Sequence, residues 1–410
     1  MMKGLLFICI LFALTLLMGL TQNTAYSESR FKDDVEFLKK YVTVILLKDT
    51  DSEGQVAVVP EYQGRIMTST AEGLEGLSFG WINRELISSK KIEPHINVFG
   101  GEDRFWIGPE GGQYGIFFPP NSPFDLDHWQ TPPVIDTEPY EVVSQNEKQV
   151  SFHKEAKLKN WTGTDFQISI ERTVSILSKE QIAGTLGVRI PQNIKYIGVE
   201  SKNRIKNIGN EDWNKEKGLL SIWILGMFNP SPDTTIVIPF LPGAEEYLGP
   251  KVNDAYFGKV PPDRLVVKDN ILFFKGDGQY RSKIGVSPKR ALSVCGSYDA
   301  KNKVLTIVQY SKPDTPKPYV NSMWEMQKDP YGGDVINSYN DGPLGPGKKP
   351  LGPFYELETS SPAEELKKGE FIEHTHKTFH FIGDEKELNY LANEILGVDL
   401  QTIQNAFSSK

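Results

Sequence analysis

Alternating apolar and polar positions run through most of the chain and predict short β-strands separated by turns. The clearest example lies between residues 352 and 381, where two such runs flank a turn that contains proline and glycine. In the first run, Phe354, Glu356 and Glu358 fall on one face of the predicted strand, and the residues between them fall on the other. Two carboxylates on one strand face repel each other, so this face is a candidate functional surface.

Further runs of this kind predict strands at regular intervals, with turn residues between them, as is typical of an all-β sandwich or barrel. Helical spacing of apolar residues is confined to two short segments near the ends, Arg30–Tyr41 and Asp384–Leu396. The other predicted strands are Thr43–Leu47, Gln55–Val59, Gly64–Ser69, Glu141–Val143, Val150–His153, Phe166–Leu177 and Ala183–Ile190. Leu77–Ile87 is predicted as a strand or as a strand followed by a turn.

The first 27 residues have the pattern of an export signal and not of a folded element. Lys3 precedes an apolar run from Leu5 to Leu20, and small residues at Ala25 and Ser27 suit a signal peptidase. The apolar run is too short to predict a stable membrane anchor. We therefore expect a secreted or periplasmic protein, with residues 28–410 forming one domain because no long linker divides them.

The net charge limits the classes of partner that the protein can bind, and the cysteine count limits the disulfides that it can form. The net charge is −8, and removal of the signal takes away one more positive charge, which argues against a nucleic-acid partner. Cys295 is the only cysteine outside the predicted signal, so no internal disulfide is expected, and its apolar surroundings predict a buried strand position. No motif predicts a cofactor.

A second candidate surface is the glycine-rich stretch from residue 99 to residue 115. It carries Glu102, Arg104, Trp106 and Glu110 among glycines that permit tight turns and close approach of the backbone to a ligand. Arg104 could donate paired hydrogen bonds, and Trp106 offers a flat face to a sugar ring. The alternative is an irregular loop that an arginine–glutamate pair stabilises.

Two later segments add polar candidates. Arg281 and Lys283 fall on one strand face, where they could meet an anion or the two glutamates, or form a solvated hairpin. Asn340 and Asp341 precede the Glu356–Glu358 strand and could contribute to the same site, although Asn-Asp-Gly is also a good turn.

Histidines alternate on the last predicted strand. His374 and His376 share a face and form an alternative candidate for a metal pair. Any further ligand would have to be a carboxylate from elsewhere in the chain, so no metal is our principal expectation.

Three stretches together resemble the galactose mutarotase-like (aldose 1-epimerase) superfamily. They are the order Leu-Glu-Thr, Ser-Pro, Leu-x-x-Gly-Glu between residues 357 and 370, the hairpin Val58-Val-Pro-Glu-Tyr-Gln-Gly-Arg-Ile-Met, and Asn203-Arg-Ile-Lys-Asn-Ile-Gly-Asn-Glu-Asp-Trp. The resemblance covers most of the chain after about residue 55 and is closest to secreted bacterial proteins without an assigned activity. It implies a large antiparallel β-sandwich whose concave face holds a mono- or oligosaccharide.

The resemblance also implies roles. The glutamate of the family's Leu-Glu strand is the catalytic base and matches Glu358. The family's general-acid histidine falls at Gly226, or at Leu225 in a shifted register, and neither residue can transfer a proton. Glu356 could replace it, because adjacent carboxylates push their pKa values apart. The alternatives are a carbohydrate-binding protein without catalysis and an accessory to a lyase or glycosidase.

Overall fold

The computed structural model describes residues 29–345 and 347–408. Within these residues the fold is mostly β, which confirms the predicted all-β class. The strands, in chain order, are β1 (Ile45–Lys48), β2 (Gln55–Val59), β3 (Arg65–Thr70), β4 (Arg104–Gly108), β5 (Glu141–Gln145), β6 (Gln149–Lys159), β7 (Asp165–Ile176), β8 (Lys195–Asn207), β9 (Ser221–Phe228), β10 (Thr234–Pro239), β11 (Leu265–Lys268), β12 (Ile271–Lys275), β13 (Ser282–Val286), β14 (Val294–Asp299), β15 (Val304–Tyr310), β16 (Ile336–Asn340), β17 (Tyr355–Ser360) and β18 (Phe371–Ile382).

The helices are short. They are α1 (Phe31–Leu38), α2 (Arg84–Ser89), α3 (Lys179–Leu186), α4 (Glu245–Leu248), α5 (Glu385–Leu396) and α6 (Leu400–Gln404). The two predicted terminal helices are confirmed as α1 and α5. None of the helices in the described part of the chain has the length and apolar character that crossing a bilayer would take. The predicted signal, residues 1–27, lies outside the described residues.

Three antiparallel sheets form the molecule. A ten-stranded sheet has the order β11-β12-β10-β14-β15-β18-β8-β7-β6-β5, a five-stranded sheet has the order β13-β16-β17-β9-β4, and β1, β2 and β3 form a small third sheet. The predicted hairpin of β2 and β3 is confirmed. Strands β17 and β18 follow each other in the chain but lie in different large sheets, so the turn between them carries the chain across the sandwich.

The two large sheets pack face to face and build the β-sandwich that the sequence predicts. From β17, Tyr355 and Leu357 enter the apolar core between the sheets. The Tyr355 hydroxyl lies 2.8 Å from Ser297 Oγ of the opposite sheet, and Cys295 is fully buried in the same core, as predicted. The alternation of β17 therefore leaves Glu356 and Glu358 on the outer face of the five-stranded sheet.

Two predicted strands are wrong. Ala183–Ile190 coincides with α3, where Ser178 and Gln181 form a reciprocal capping box that starts a helix. Leu77–Ile87 contains only isolated bridges and then α2, whose first turn is capped by Asn83 accepting a hydrogen bond from the Leu86 amide at 3.0 Å. In both segments a local capping interaction favours the helix over the weak apolar alternation.

Candidate functional site

The outer face of the five-stranded sheet brings the main candidate residues together in rows. One row runs across the strands from Asn337 to Glu358, Leu225 and Arg104, which are successive register partners. The next row runs from Lys283 to Tyr339, Glu356 and Met227. Rows on one face are two residues apart, about 7 Å along the strands. The face thus concentrates two carboxyls and two cations.

Each carboxyl of this face is bound by one cation. Arg104 Nη2 lies 3.2 Å from Glu356 Oε1, and Lys283 Nζ lies 2.9 Å from Glu358 Oε2. The Trp223 indole Nε1 also donates to Glu358 Oε2 at 3.0 Å. The structural arginine–glutamate pair considered from the sequence is therefore present, but it lies on the sheet face itself and not within a loop.

The two carboxyls have different environments. Burial and the neighbouring charge of Glu358 raise the pKa of Glu356 to about 8, although Arg104 and Lys283 oppose this shift. Glu356 is therefore mostly protonated at neutral pH. Glu358 is fully buried, and its Oε2 accepts hydrogen bonds from both Lys283 and Trp223.

Aromatic side chains enclose this polar floor. Trp106 and Trp223 meet edge to face with ring centres 5.5 Å apart, and the Arg104 guanidinium lies 4.2 Å from the centre of the Trp106 ring. Trp129 and Trp324 stack with centres 5.7 Å apart on another wall. Together they line an open cavity of about 800 Å³, which suits a ligand of drug-like size.

Six of the predicted site residues line this cavity, namely Arg104, Trp106, Glu110, Arg281, Lys283 and Glu356, and Glu358 lies buried in its floor. Glu110 Oε1 accepts a hydrogen bond from Trp324 Nε1 at 3.1 Å, and burial raises the pKa of Glu110. Lys283 and Arg281 are not part of a charged hairpin, because β12 and β13 belong to different sheets.

The other three predicted residues lie elsewhere. Glu102 is buried behind the sheet, where Oε2 lies 3.0 Å from His380 Nε2. The Asn340 side chain is hydrogen-bonded to the backbone of the neighbouring loop. Its Oδ1 accepts from the Gly278 amide at 2.8 Å, and its Nδ2 donates to the Tyr280 carbonyl oxygen at 3.0 Å. Asp341 accepts from the Gly352 amide at 2.8 Å, and burial raises its pKa to about 6. Asn340 and Asp341 thus support the loop, as the turn alternative proposed.

The histidine pair is part of the sandwich interior. His374 Nε2 and His376 Nδ1 each lie 2.8 Å from Thr359 Oγ1, which comes from the opposite sheet. Burial is the main cause that lowers the pKa of His374 to about 3 and of His376 to about 4, so both are neutral. Among the described residues, no group of three or more histidine, cysteine or acidic side chains could hold a metal ion.

The register of β9 distinguishes the two positions that the sequence offered for a general acid, Leu225 and Gly226. Leu225 pairs with Glu358 on one side and with Arg104 on the other, and it lines the cavity. Gly226 pairs with Leu357, which faces the core, so it lies on the opposite face of the sheet. An aliphatic side chain therefore occupies the cavity position beside the candidate base.

Several cavity residues were missed by sequence reasoning. Trp223 could have been found, because it precedes Leu225 by two positions and so shares its strand face. The cluster of Tyr256 and Asp334 left no such signal: the Tyr256 hydroxyl donates to Asp334 Oδ2 at 2.7 Å across 78 positions of sequence. Asn337 Nδ2 donates to the same hydroxyl at 3.1 Å.

The fold and site define a β-sandwich protein with a buried carboxyl pair in an aromatic cavity. The chain belongs to a family of unknown function, DUF6786, whose model matches residues 29–407. No curated protein sequence is significantly similar to the chain.

Solved structures similar to the chain include galactose mutarotase-like proteins, the class that the sequence motifs resemble. The Slr1438 protein from Synechocystis sp. PCC 6803 has 12% identity and a TM-score of 0.49, and the match covers 83% of this chain and 96% of that one. A galactose mutarotase-like protein from Lactobacillus casei ATCC 334 has 9% identity and a TM-score of 0.47, with 82% and 100% covered. A galactose mutarotase related enzyme from Lactobacillus acidophilus has 10% identity and a TM-score of 0.46, with 82% and 97% covered. A fold does not determine a function, so the chemistry of the site itself has to indicate it.

Proposed function

We propose that the protein binds a carbohydrate in this cavity and performs acid–base chemistry on it, with Glu358 as base and Glu356 as acid. The observation that carries the proposal is the pair of buried carboxyls on one strand face: Glu358 forms an ion pair with Lys283, and burial raises the pKa of Glu356 to about 8. Two carboxyls in opposite protonation states are what a reaction that removes one proton and delivers another requires.

Two unpaired polar atoms support sugar binding. Glu358 Oε1 and the Trp106 Nε1 are buried, and neither has a hydrogen-bond partner among the described residues. Buried polar atoms are normally paired, so an acceptor and a donor left open beside one cavity suit the hydroxyl groups of a ligand. The Trp106 ring and the stacked Trp129 and Trp324 offer apolar faces of the kind that sugar rings contact.

In the epimerase-like reaction, Glu358 takes the proton of the anomeric hydroxyl while Glu356 donates its proton to the ring oxygen. The ring opens and the carbonyl group rotates; on reclosure the ring oxygen returns its proton to Glu356, and Glu358 returns its proton to the anomeric oxygen. Lys283 positions Glu358, and Arg104 positions Glu356. No redox partner is needed.

A carbohydrate-binding protein without catalysis is the second candidate. It is favoured by Leu225, which cannot transfer a proton, and by the Lys283 ion pair, which occupies Glu358 Oε2. The two candidates share the ligand and differ only in turnover, so one experiment separates them.

The test is proton NMR of the protein with a panel of sugars, measured both for ligand binding and for exchange between anomers. We expect exchange that falls about 10² to 10⁴-fold in Glu358→Gln, since general acid–base groups contribute rates of this size. Glu394→Gln, a change of an exposed glutamate on α5, serves as the matched control. Binding without exchange supports the second candidate. Absence of binding by every sugar contradicts both.

A further inference from the structure

The cationic residues that line the cavity are unevenly paired. Arg104 is matched by Glu356 and Lys283 by Glu358, whereas Arg281 has no ion pair with any carboxylate in the described part of the chain. Its Nε also lacks a hydrogen-bond partner there. A half-buried guanidinium loses much of its hydration, so a cation left in this state is suited to an anion supplied by a ligand.

Arg281 is held in place by aromatic neighbours. Its guanidinium carbon lies 3.9 Å from the centre of the Phe257 ring, and its charge acts on the Tyr339 hydroxyl. Stacking covers one flat face of the guanidinium, one N–H group meets the Tyr339 hydroxyl, and the remaining terminal N–H donors are available to a ligand in the cavity that Arg281 lines. The side chain is therefore preorganised for an in-plane, two-point contact.

The nearest acidic candidate, Asp341, is already engaged. Its Oδ1 accepts from the Tyr339 hydroxyl at 2.9 Å, and its Oδ2 accepts from the Gly352 amide at 2.8 Å. Burial raises its pKa to about 6, so it still carries most of its charge at pH 7. Asp341 thus stabilises the loop beside Arg281 and has no direct ion pair with the guanidinium.

The distance between Arg281 and the carboxyl pair suits a ligand whose charged group is a substituent of the sugar ring. Arg281 precedes Lys283 by two positions, so it lies one row, about 7 Å, beyond the row that contains Lys283 and Glu356. Trp223 lies on the other side, one row beyond Glu358. The floor therefore runs from an aromatic surface through the carboxyl pair to an open cation over three row spacings, about 20 Å, a length that accommodates more than one sugar ring.

We propose that Arg281 binds a carboxylate of the ligand, so that the substrate is a uronic acid or a glycan that contains one. The inference rests on the proposed carbohydrate function and names its substrate class. A guanidinium and a carboxylate are both planar and form two parallel hydrogen bonds. Lys348 also lines the cavity without an ion pair among the described residues, but its side chain is exposed and stays hydrated, whereas Arg281 is half-buried.

The experiment is a binding titration by saturation-transfer NMR with three matched sets of probes. These are galacturonate, digalacturonate and glucuronate, their neutral parents galactose and glucose, and the 6-phosphates of both sugars. Each is measured on the full protein, on Arg281→Gln and Arg281→Lys, and on Arg189→Gln. Arg189 is exposed and follows α3 on the far side of the ten-stranded sheet, so its replacement removes the same charge away from the cavity.

We expect at least one acid to bind about tenfold or more tightly than its neutral parent, as a charge-assisted pair of hydrogen bonds would provide. Arg281→Gln should abolish this preference, Arg281→Lys should retain part of it, and Arg189→Gln should leave it intact. Equal binding of neutral sugars and acids, stronger binding of the phosphates, or a preference that survives Arg281→Gln would overturn the inference while the proposed function stands. No binding by any probe contradicts both.

Discussion

The ion pair of Lys283 and Glu358 allows a direct test of how the buried carboxyl pair is stabilised. The side chains are 12% and 0% exposed, and Nζ lies 2.9 Å from Oε2. Lys283→Met keeps the length of the side chain and removes its charge, which leaves the Glu358 carboxylate without its cation. Removing one partner of a buried pair costs about 3–5 kcal/mol. Because Trp223 still donates to Glu358, we expect the lower end, about 3 kcal/mol, in the free energy of unfolding at pH 7.

Equilibrium urea unfolding of four proteins measures this effect: the parent, Lys283→Met, Glu358→Gln and the double variant. If the cost comes from the uncompensated carboxylate, the double variant should be more stable than the two single losses predict, by about 2 kcal/mol or more. Lys386→Met, on the exposed side of α5, should change stability by less than about 0.5 kcal/mol. Additive single losses would refute the reasoning, because they would show that Lys283 and Glu358 contribute independently.

Three further predictions concern other parts of the chain. Thr359→Val leaves His374 Nε2 and His376 Nδ1 without their shared partner, and urea unfolding should show a loss of about 1–3 kcal/mol; an unchanged stability would contradict the buried network. Any turnover should fall as the pH rises through about 8, because the acid form of Glu356 is lost there, and a rate that stays constant to pH 9.5 would exclude Glu356 as the acid. Expression in a bacterial host with mass spectrometry of the exported fraction should find a chain that begins after Ser27, and uncleaved cytoplasmic protein would contradict the export signal.

Strand alternation was sufficient to predict the faces of the site but not its contacts. The sequence placed Glu356 and Glu358 together because that relation depends only on two-residue periodicity within one strand. The contacts between side chains depend on which strands are neighbours and in what register they pair. This pairing brings Lys283 to Glu358 and Arg104 to Glu356. Those pairings join positions 75 and 252 residues apart, and no local pattern encodes them.

Glu102 is a residue that its sequence neighbours wrongly placed in the site. It shares a glycine-rich stretch with Arg104 and Trp106, which suggested a common surface, yet β4 begins only at Arg104. Gly100 has a φ of 93°, and a Cβ atom there would lie 2.1 Å from the Trp81 carbonyl oxygen. The chain bends at this close contact, so Glu102 enters the interior and meets His380, while the strand that follows faces the cavity.

The protonation of Glu356 connects the proposed chemistry with the proposed ligand. While Glu356 is neutral, the floor carries the charges of Arg104, Lys283 and Glu358, a net of one positive charge, before Arg281 is added. The cavity lining also contains the carboxyls of Glu110, Asp127, Glu325 and Asp334 and the ammonium of Lys348, so the attraction for an anion is local to this floor. Once Glu356 ionises, the floor loses this excess, so the proton that allows Glu356 to act as an acid also favours binding of an acidic sugar.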